Sequence, residues 1–309
     1  TGGKGDKSFN DSAYEGLKKA QEEFGIEFKV LESKVPSDWE TNFVSAASDD
    51  SYDLVLAISS QFTDIVNNHA DEFKNVKIGI IDSVVKKPNV SSAIFAQNEG
   101  SFLAGAAAAL FTQKTDIPNV NGEKIIGWVG GMDIPVLQDF LTGYKQDAAY
   151  IDPQTKVLVS FAGTFNDPLK GKELTLAQYS QGADIVMNVA SNTGNGILEA
   201  AKDSKKYAIG VDINQDDIYP GFILTSMLKR VDVATYNMIK QVHEGNFKGG
   251  EIVRMDASNG GVNLTDMAAM KTALKDKFPE DILVKINELT EKIKKGEIKV
   301  ESYPGFKVE

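Results

Sequence analysis

Two aromatic residues stand in polar loops rather than in apolar runs: Phe9 in Ser8-Phe9-Asn10-Asp11 and Phe165 in Thr164-Phe165-Asn166-Asp167. A ring in such a place either lids the core or offers a flat face to a ligand. Two matched rings could sandwich a planar group, with stacking worth about 1–3 kcal/mol per base. Asp212 ends the apolar run Ile209-Gly210-Val211. A carboxylate there either caps a turn with Asn214 and Asp216 or accepts hydrogen bonds from two adjacent hydroxyls. Lys229 follows Leu224-Thr225-Ser226, where it is a solvated lysine, a partner for Asp212 or a ligand contact. Gln97, Asn98 and Glu99 open an alanine-rich helix, where they cap it or read the edge of a base.

Two glycine-rich stretches precede helices. Thr1-Gly2-Gly3-Lys4-Gly5-Asp6-Lys7-Ser8 lacks the third glycine of a dinucleotide fingerprint and the Gly-Lys-Ser/Thr of a phosphate loop. Gly194-Asn195-Gly196 is a second near miss. Tight strand-to-helix turns with glycines at positive φ explain both, and both lie where they could line a ligand cleft.

Other chemistry is excluded or unsupported. The chain has no cysteine, so thiolate zinc sites, cysteine nucleophiles and disulfides are absent. Its two histidines, His69 and His243, sit in polar helical contexts and form no metal or triad motif. No calcium loop or acid–base pair stands out, and no cofactor is implied. With 33 Lys and Arg against 44 Asp and Glu, the net charge is −11, which disfavours nucleic acid and anionic lipid. No apolar run approaches about 18 residues. The chain opens at Thr1 without an initiator Met, which reads as processing or trimming.

These residues need elements to hold them. Apolar runs predict strands at Phe28–Glu32, Leu54–Ile58, Val76–Asp82, Ala93–Ala96, Lys124–Val129, Lys156–Phe161, Ile185–Val189, Tyr207–Val211 and Ile223–Ser226. Helical patterns fall between them at Asn10–Phe24, Trp39–Ala47, Thr63–Phe73, Glu99–Leu110, Pro135–Ala149, Lys170–Gln181, Asn195–Asp203 and Val231–Glu244, with another at Pro279–Lys295. The alternation predicts an α/β fold with parallel sheets and right-handed crossovers.

An internal repeat divides the chain. Asp53–Ser60 aligns with Asp184–Ser191, and at the same offset Lys74–Gly79 aligns with Lys205–Gly210. A slightly smaller offset pairs Lys29-Val30-Leu31 with Lys156-Val157-Leu158, and Gly16 with Gly143. Buried strands resemble one another, but two blocks sharing one offset favour a duplication. The expectation is two similar lobes. Residues 1–115 plus 224–253 form the first, and 120–222 plus 254–309 the second. The polar stretch Thr112–Asn121 acts as a hinge, and a ligand cleft opens at the carboxyl ends of the strands.

With those segments on view, the chain resembles the basic membrane protein family of substrate-binding lipoproteins, of the purine nucleoside receptor A type. The matching stretches are Asp6–Asn10, Asn98–Gly105, Gly127–Gly131, Gly163–Asp167, Gly182–Asp184, Gly194–Gly196, Ile209–Asp212 and Leu224–Ser226, in order, covering most of the chain to about Lys240. The resemblance implies a type I periplasmic-binding-protein fold, two Rossmann-like lobes joined by three hinge crossovers. It implies a monomeric lipoprotein anchored outside the cytoplasmic membrane, handing nucleosides, purine nucleosides foremost, to an ABC permease. Phe9 and Phe165 would stack the base. Asn10 and the Gln97–Asn98 turn would bond its edge, and Asp212 and Lys229 would hold the ribose. Gly194 would allow close approach, and Asp6 and Ser8 would belong to the same site. The family also has a first strand before Thr1, ending in an aspartate, which this chain lacks. Relatives often carry an acidic residue at Gly5 and an aspartate at Gln97. The competing classes are a sensor module for a sugar or signal, and a nucleoside-processing enzyme. A lipobox upstream, a fused kinase, or turnover by catalytic amounts of protein would separate them.

Overall fold

The computed structural model describes residues 3–33 and 35–306; Thr1 and Gly2, which open the first glycine-rich loop, lie outside them. The elements run α1 (Phe9–Phe24), α2 (Pro36–Ala47), β1 (Leu54–Ile58), α3 (Thr63–His69), β2 (Lys77–Ile81), β3 (Val90–Phe95) and α4 (Gln97–Phe111). There follow β4 (Ile125–Gly130), α5 (Pro135–Ile151), β5 (Lys156–Phe161), α6 (Pro168–Ser180), β6 (Ile185–Val189), α7 (Gly194–Ser204) and β7 (Tyr207–Asp212). The chain closes with β8 (Ile223–Lys229), α8 (Val231–His243), β9 (Ile252–Met255), β10 (Val262–Leu264), α9 (Ala268–Leu274) and α10 (Glu280–Lys294).

Two compact units result. Unit 1 takes the chain up to Phe95 together with Arg230–Met255, and unit 2 takes Ala96–Lys229 and Asp256–Phe306. Unit 1 holds a parallel sheet in the order β1-β2-β3-β9; unit 2 holds a sheet in the order β10-β8-β7-β6-β4-β5. In unit 2 only β10 runs antiparallel, against the end of β8. Strands β3, β6 and β7 are buried at every residue, as parallel strands covered by helices on both faces must be. The predicted α/β architecture and its parallel sheets stand.

The division corrects the expected boundaries. Helix α4 belongs to unit 2, because its glycine- and alanine-rich length packs on α5. Strand β8 also stays in unit 2, paired with β7 from Ile223 through Leu228. The chain therefore passes between units after Phe95, Lys229 and Met255. The expected hinge at Thr112–Asn121 lies wholly within unit 2. Thr112 Oγ1 donates to Asp184 Oδ2 at 2.7 Å, and the Asn121 amide donates to Asp184 Oδ1 at 3.1 Å. Lys206 completes the anchor, with Nζ 2.9 Å from Asp184 Oδ1 and 2.8 Å from the Asn119 carbonyl.

The repeat is visible as topology. β1, the following 3-10 turn, α3 and β2 run in the order of β6, its 3-10 turn, α7 and β7. One member is missing from unit 1. The predicted strand Phe28–Glu32, which aligns with β5, forms no regular element and belongs to no sheet. In unit 2, β4 lies between β6 and β5; in unit 1 a cavity of about 660 Å³ takes that place, lined by Phe28, Val30, Leu54, Leu56 and Ile58. A strand needs a hydrogen-bonded neighbour, and among the described residues none fills this position. Val30 and Leu31 are accordingly exposed.

The repeat also fixes the helix packing. Gly16 of α1 and Gly143 of α5 are repeat partners. A Cβ at Gly16 would lie 2.4 Å from the carbonyl oxygen of Asp232, the second residue of α8. A Cβ at Gly143 would lie 2.0 Å from the carbonyl oxygen of Asn98, the second residue of α4. In each unit, a glycine lets one helix touch the first turn of another, backbone to side-chain-free backbone. Gly105 repeats the device within the α4–α5 pair, facing the Tyr144 carbonyl at 2.4 Å.

Two predictions follow from this packing. Gly143→Ala should cost about 1–3 kcal/mol, because neither backbone can yield without moving its helix. Chemical unfolding measures it, and a stability equal to the parent would show that α4 and α5 separate freely. Asp147, fully buried on α5, has no hydrogen-bond partner at either carboxylate oxygen, and burial pushes its pKa up to about 8 against an opposing effect of Lys285. An unfolded aspartate titrates near about 3.9. The folded state thus holds the proton longer, and stability is lost as pH rises from about 4 toward 8. Asp147→Asn should therefore stabilise little at pH 4 and most at pH 8, read from unfolding curves across that range.

Candidate functional site

In unit 1, the loop before α1 is built around two carboxylates. Asp6, 1% exposed, accepts from the amides of Ser8, Asn10 and Asp11 at 2.9, 3.0 and 3.1 Å, and from Asn10 Nδ2 at 2.8 Å. Asp11 accepts from the Gly5 and Lys7 amides, each at 2.8 Å. This is anion capping of a helix N-terminus from two residues before the usual position. Gly3 and Gly5 supply the positive φ that the loop requires, at 71° and 88°. Asp6 and the fully buried Ser8 therefore shape the loop from within. Phe9 and Asn10, the first residues of α1, are only partly buried.

In unit 2, Phe165 occupies the loop after β5, and its ring rests on Gly131 just beyond β4. A Cβ at Gly131 would meet Phe165 Cδ1 at 2.3 Å. The loop is stitched to the 3-10 turn after β6. The Thr193 amide donates to the Phe165 carbonyl at 3.1 Å, and the Asp167 amide to Thr193 Oγ1 at 2.8 Å. Asn192 Nδ2 donates to Asn166 Oδ1 at 2.6 Å. The Phe165 ring stays partly exposed.

Asp212 and Lys229 end neighbouring strands. Asp212 pairs with Leu228 in the β7–β8 register, which sets Lys229 one residue further along. Both are buried, at 7% and 1% exposure, and Asp212 has φ 67°. A non-glycine residue in that region marks a local strain of order 1–3 kcal/mol. Lys229 Nζ lies 5.2 Å from the Phe140 ring centroid, an ammonium on an aromatic face in a buried setting.

Gln97 and Asn98 begin α4 and are both buried. Gln97 Nε2 donates to Asp139 Oδ2 at 2.6 Å, while Gln97 Oε1 is buried without a hydrogen-bond partner. Asn98 Nδ2 donates to the Glu301 carbonyl at 3.0 Å. Asp139 takes two more donors from the same C-terminal stretch, Ser302 Oγ at 2.6 Å and the Tyr303 amide at 2.7 Å. Gln146 adds a pair of bonds to Lys299 and Glu301. Residues 299–303 are thus strapped across the α4–α5 pair. Burial raises the Asp139 pKa, opposed by the three hydrogen bonds and by the nearby Lys229 charge.

Gly194 departs from expectation. It is the first residue of α7 with φ −62°, and Gly196 is helical too, so this turn needs no positive φ. The glycines are there for space. A Cβ at Gly194 would strike Asn188 Oδ1 at 2.2 Å, and one at Gly196 the Pro168 carbonyl at 1.7 Å. Asn188, not an incoming group, fills the room above Gly194.

Within unit 2, Phe165, Gln97, Asn98, Asp212 and Lys229 all stand at strand ends or on the turns that leave them. Sequence reading missed Asp139 altogether. Its signal was a carboxylate on the apolar stripe of α5, between Leu137 and Phe140. Among the described residues, no group of three or more His, Asp or Glu side chains is placed to hold a metal ion, and no helix is long and apolar enough to cross a membrane.

Comparison with known proteins gives the same architecture a family. The model of a family described as Bmp, ABC transporter substrate-binding protein PnrA-like, matches residues 1–303. The ABC transporter nucleoside-binding protein BmpA of Lactococcus lactis subsp. cremoris is 34% identical over 85% of this chain and 78% of its own length. An uncharacterised lipoprotein of Pyrococcus horikoshii is 33% identical over 96% of this chain and 81% of its own. The crystal structure of an ABC transporter solute-binding protein from Aeropyrum pernix K1 superposes with a TM-score of 0.90 at 29% identity, covering 97% of this chain and 90% of that one. The chain belongs to the Bmp family of PnrA-like ABC transporter substrate-binding proteins.

Proposed function

We propose that the substrate is a nucleoside, with purine nucleosides as the preferred class, and that the protein binds it without chemical turnover. The reading is carried by Phe165. Its ring is held on Gly131 by a stitched loop, partly exposed, in the same unit as the buried strand-end pair Asp212 and Lys229. An aromatic face suits the base, and a carboxylate and an ammonium at the ends of neighbouring strands suit vicinal ribose hydroxyls, through charge-assisted hydrogen bonds. In unit 1, Phe9 and Asn10 at the head of α1 are partly exposed and are proposed as ligand contacts in their own right. The name of the Lactococcus relative supports the same ligand class.

The role that goes with this ligand is delivery. The protein is proposed to act as a monomer outside the cytoplasmic membrane, held by a lipid anchor, as the lipoprotein name of the Pyrococcus relative suggests. The partner that receives the ligand would be an ABC permease, as the family description suggests. Asp6, Ser8 and Gly194 enter this proposal as residues that shape the site from behind: Asp6 and Ser8 are buried in the loop before α1, and Gly194 makes room for Asn188.

Calorimetric titration of ligand-stripped protein tests the reading. Adenosine, guanosine, inosine, cytidine, uridine, the free bases and ribose form the panel. Nucleosides are expected to bind stoichiometrically, and bases and ribose far more weakly. Silence from folded protein across the panel would remove the nucleoside assignment. Phe165→Ala should weaken nucleoside binding by roughly 1–3 kcal/mol; an unaltered Kd would end the stacking role. Asp212→Ala should lower affinity for nucleosides much more than for free bases, and equal losses would argue that Asp212 does not hold ribose.

A further inference from the structure

Gln97 is fully buried, and its side-chain amide is half committed. Nε2 donates to Asp139 Oδ2 at 2.6 Å, and Oε1 is buried with no partner. The other side of Asp139 is also full, for Oδ1 accepts from Ser302 Oγ at 2.6 Å and from the Tyr303 amide at 2.7 Å. Ser302 and Tyr303 both donate to it, as to a carboxylate, and an ionised carboxylate accepts at both oxygens. An acceptor can be met only by the NH₂ end of an amide. Gln97 therefore cannot turn round, and its oxygen must point away from Asp139. A buried, unpaired amide oxygen in a native structure calls for an explanation. A ligand that brings an N–H to it is one.

We propose that Asp139 is a specificity-determining positioning residue: by fixing the orientation of the Gln97 amide, it makes the site select nucleosides whose base edge carries an N–H donor. This rests on the reading of Gln97 as a residue that meets the base. The N1–H of a 6-oxopurine satisfies Oε1. Purine riboside, which has only an acceptor nitrogen and a C–H on that edge, leaves it unpaired and meets it lone pair to lone pair. Asp139 is itself pinned by the 299–303 strap and by α5, so the selection is built into the fold of unit 2 rather than into a mobile side chain.

The test is a ratio. The Kd values of inosine and purine riboside are measured by calorimetry on ligand-stripped protein, for the parent, Asp139→Asn and Gln97→Met. The parent should favour inosine by roughly 5- to 100-fold, the range expected from leaving one buried acceptor unmet. Asp139→Asn can present its own NH₂ to Gln97, which frees the amide to reverse; the ratio should collapse or invert. Gln97→Met removes the acceptor, and the ratio should fall toward one. A purely structural role for Asp139 would weaken both ligands by the same factor and leave the ratio where it was, which overturns the inference while the nucleoside reading survives. A parent ratio near one overturns it without any variant. Binding of neither ligand by the folded parent overturns the nucleoside reading and this inference with it.

Discussion

The absence of a side chain at Gly143 governs unit 2. With only 2.0 Å between a would-be Cβ and the Asn98 carbonyl, α5 meets the first turn of α4 with no side chain between them. That contact sets Gln97 within reach of Asp139, and Asn98, Asp139 and Gln146 all bond to the same C-terminal stretch. Gly16 does the same for α1 and the first turn of α8 in unit 1. In both cases the helix that is touched is the first one after the chain has changed units. The duplicated glycine thus docks each returning segment, and it does so by close packing, which tolerates almost no change in volume.

Around that contact, the polar groups fall into two kinds. Asp6, Asp11 and Asp184 have their acceptors filled from within the protein, by backbone amides, Thr112 and Lys206. They hold a helix start or a loop. Gln97 is different, since one end of its amide is filled and the other is buried with nothing to meet it. A buried polar group left unmet is costly and asks for an explanation. Asp147 is another, and there the physics runs toward a neutral carboxyl rather than toward a ligand, because a nearby lysine is the only charge that opposes its burial.

Much of this was legible in the sequence. Strands Leu54–Ile58, Lys156–Phe161 and Ile185–Val189 fall where apolar runs place them; of the three, Ile185–Val189 is buried at every residue, which its continuous apolar composition reflects. The repeat announced two units. It could not fix their borders: β8 runs on through Met227, Leu228 and Lys229, and a terminal lysine reads as the end of a strand's polar flank rather than as a buried residue. Short elements escaped too, since β9 is four residues with Arg254 inside it and β10 only three. The Phe28–Glu32 segment failed for the opposite reason. Its pattern suits a strand, but pairing belongs to two segments, and the neighbour is missing among the described residues.

Candidate site residues were legible by type, and their commitments were not. A sequence shows that Asp6 and Asp212 both carry carboxylates near helix or strand ends; it does not show that Asp6 caps α1 or that Asp212 takes φ 67° at the end of β7. Gly194 was chosen for the space a glycine leaves, and that space belongs to Asn188, 188 and 194 being six residues apart across a turn whose path a sequence does not draw. Asp139 carries the same lesson from the other side. A carboxylate in an apolar helical stripe is costly unless its acceptors are met, so its presence between Leu137 and Phe140 already requires donors from elsewhere. Those donors come from positions 97, 302 and 303, and one of them is an amide whose direction the carboxylate decides. An interaction chosen for burial therefore ends as a choice of which atom Gln97 offers.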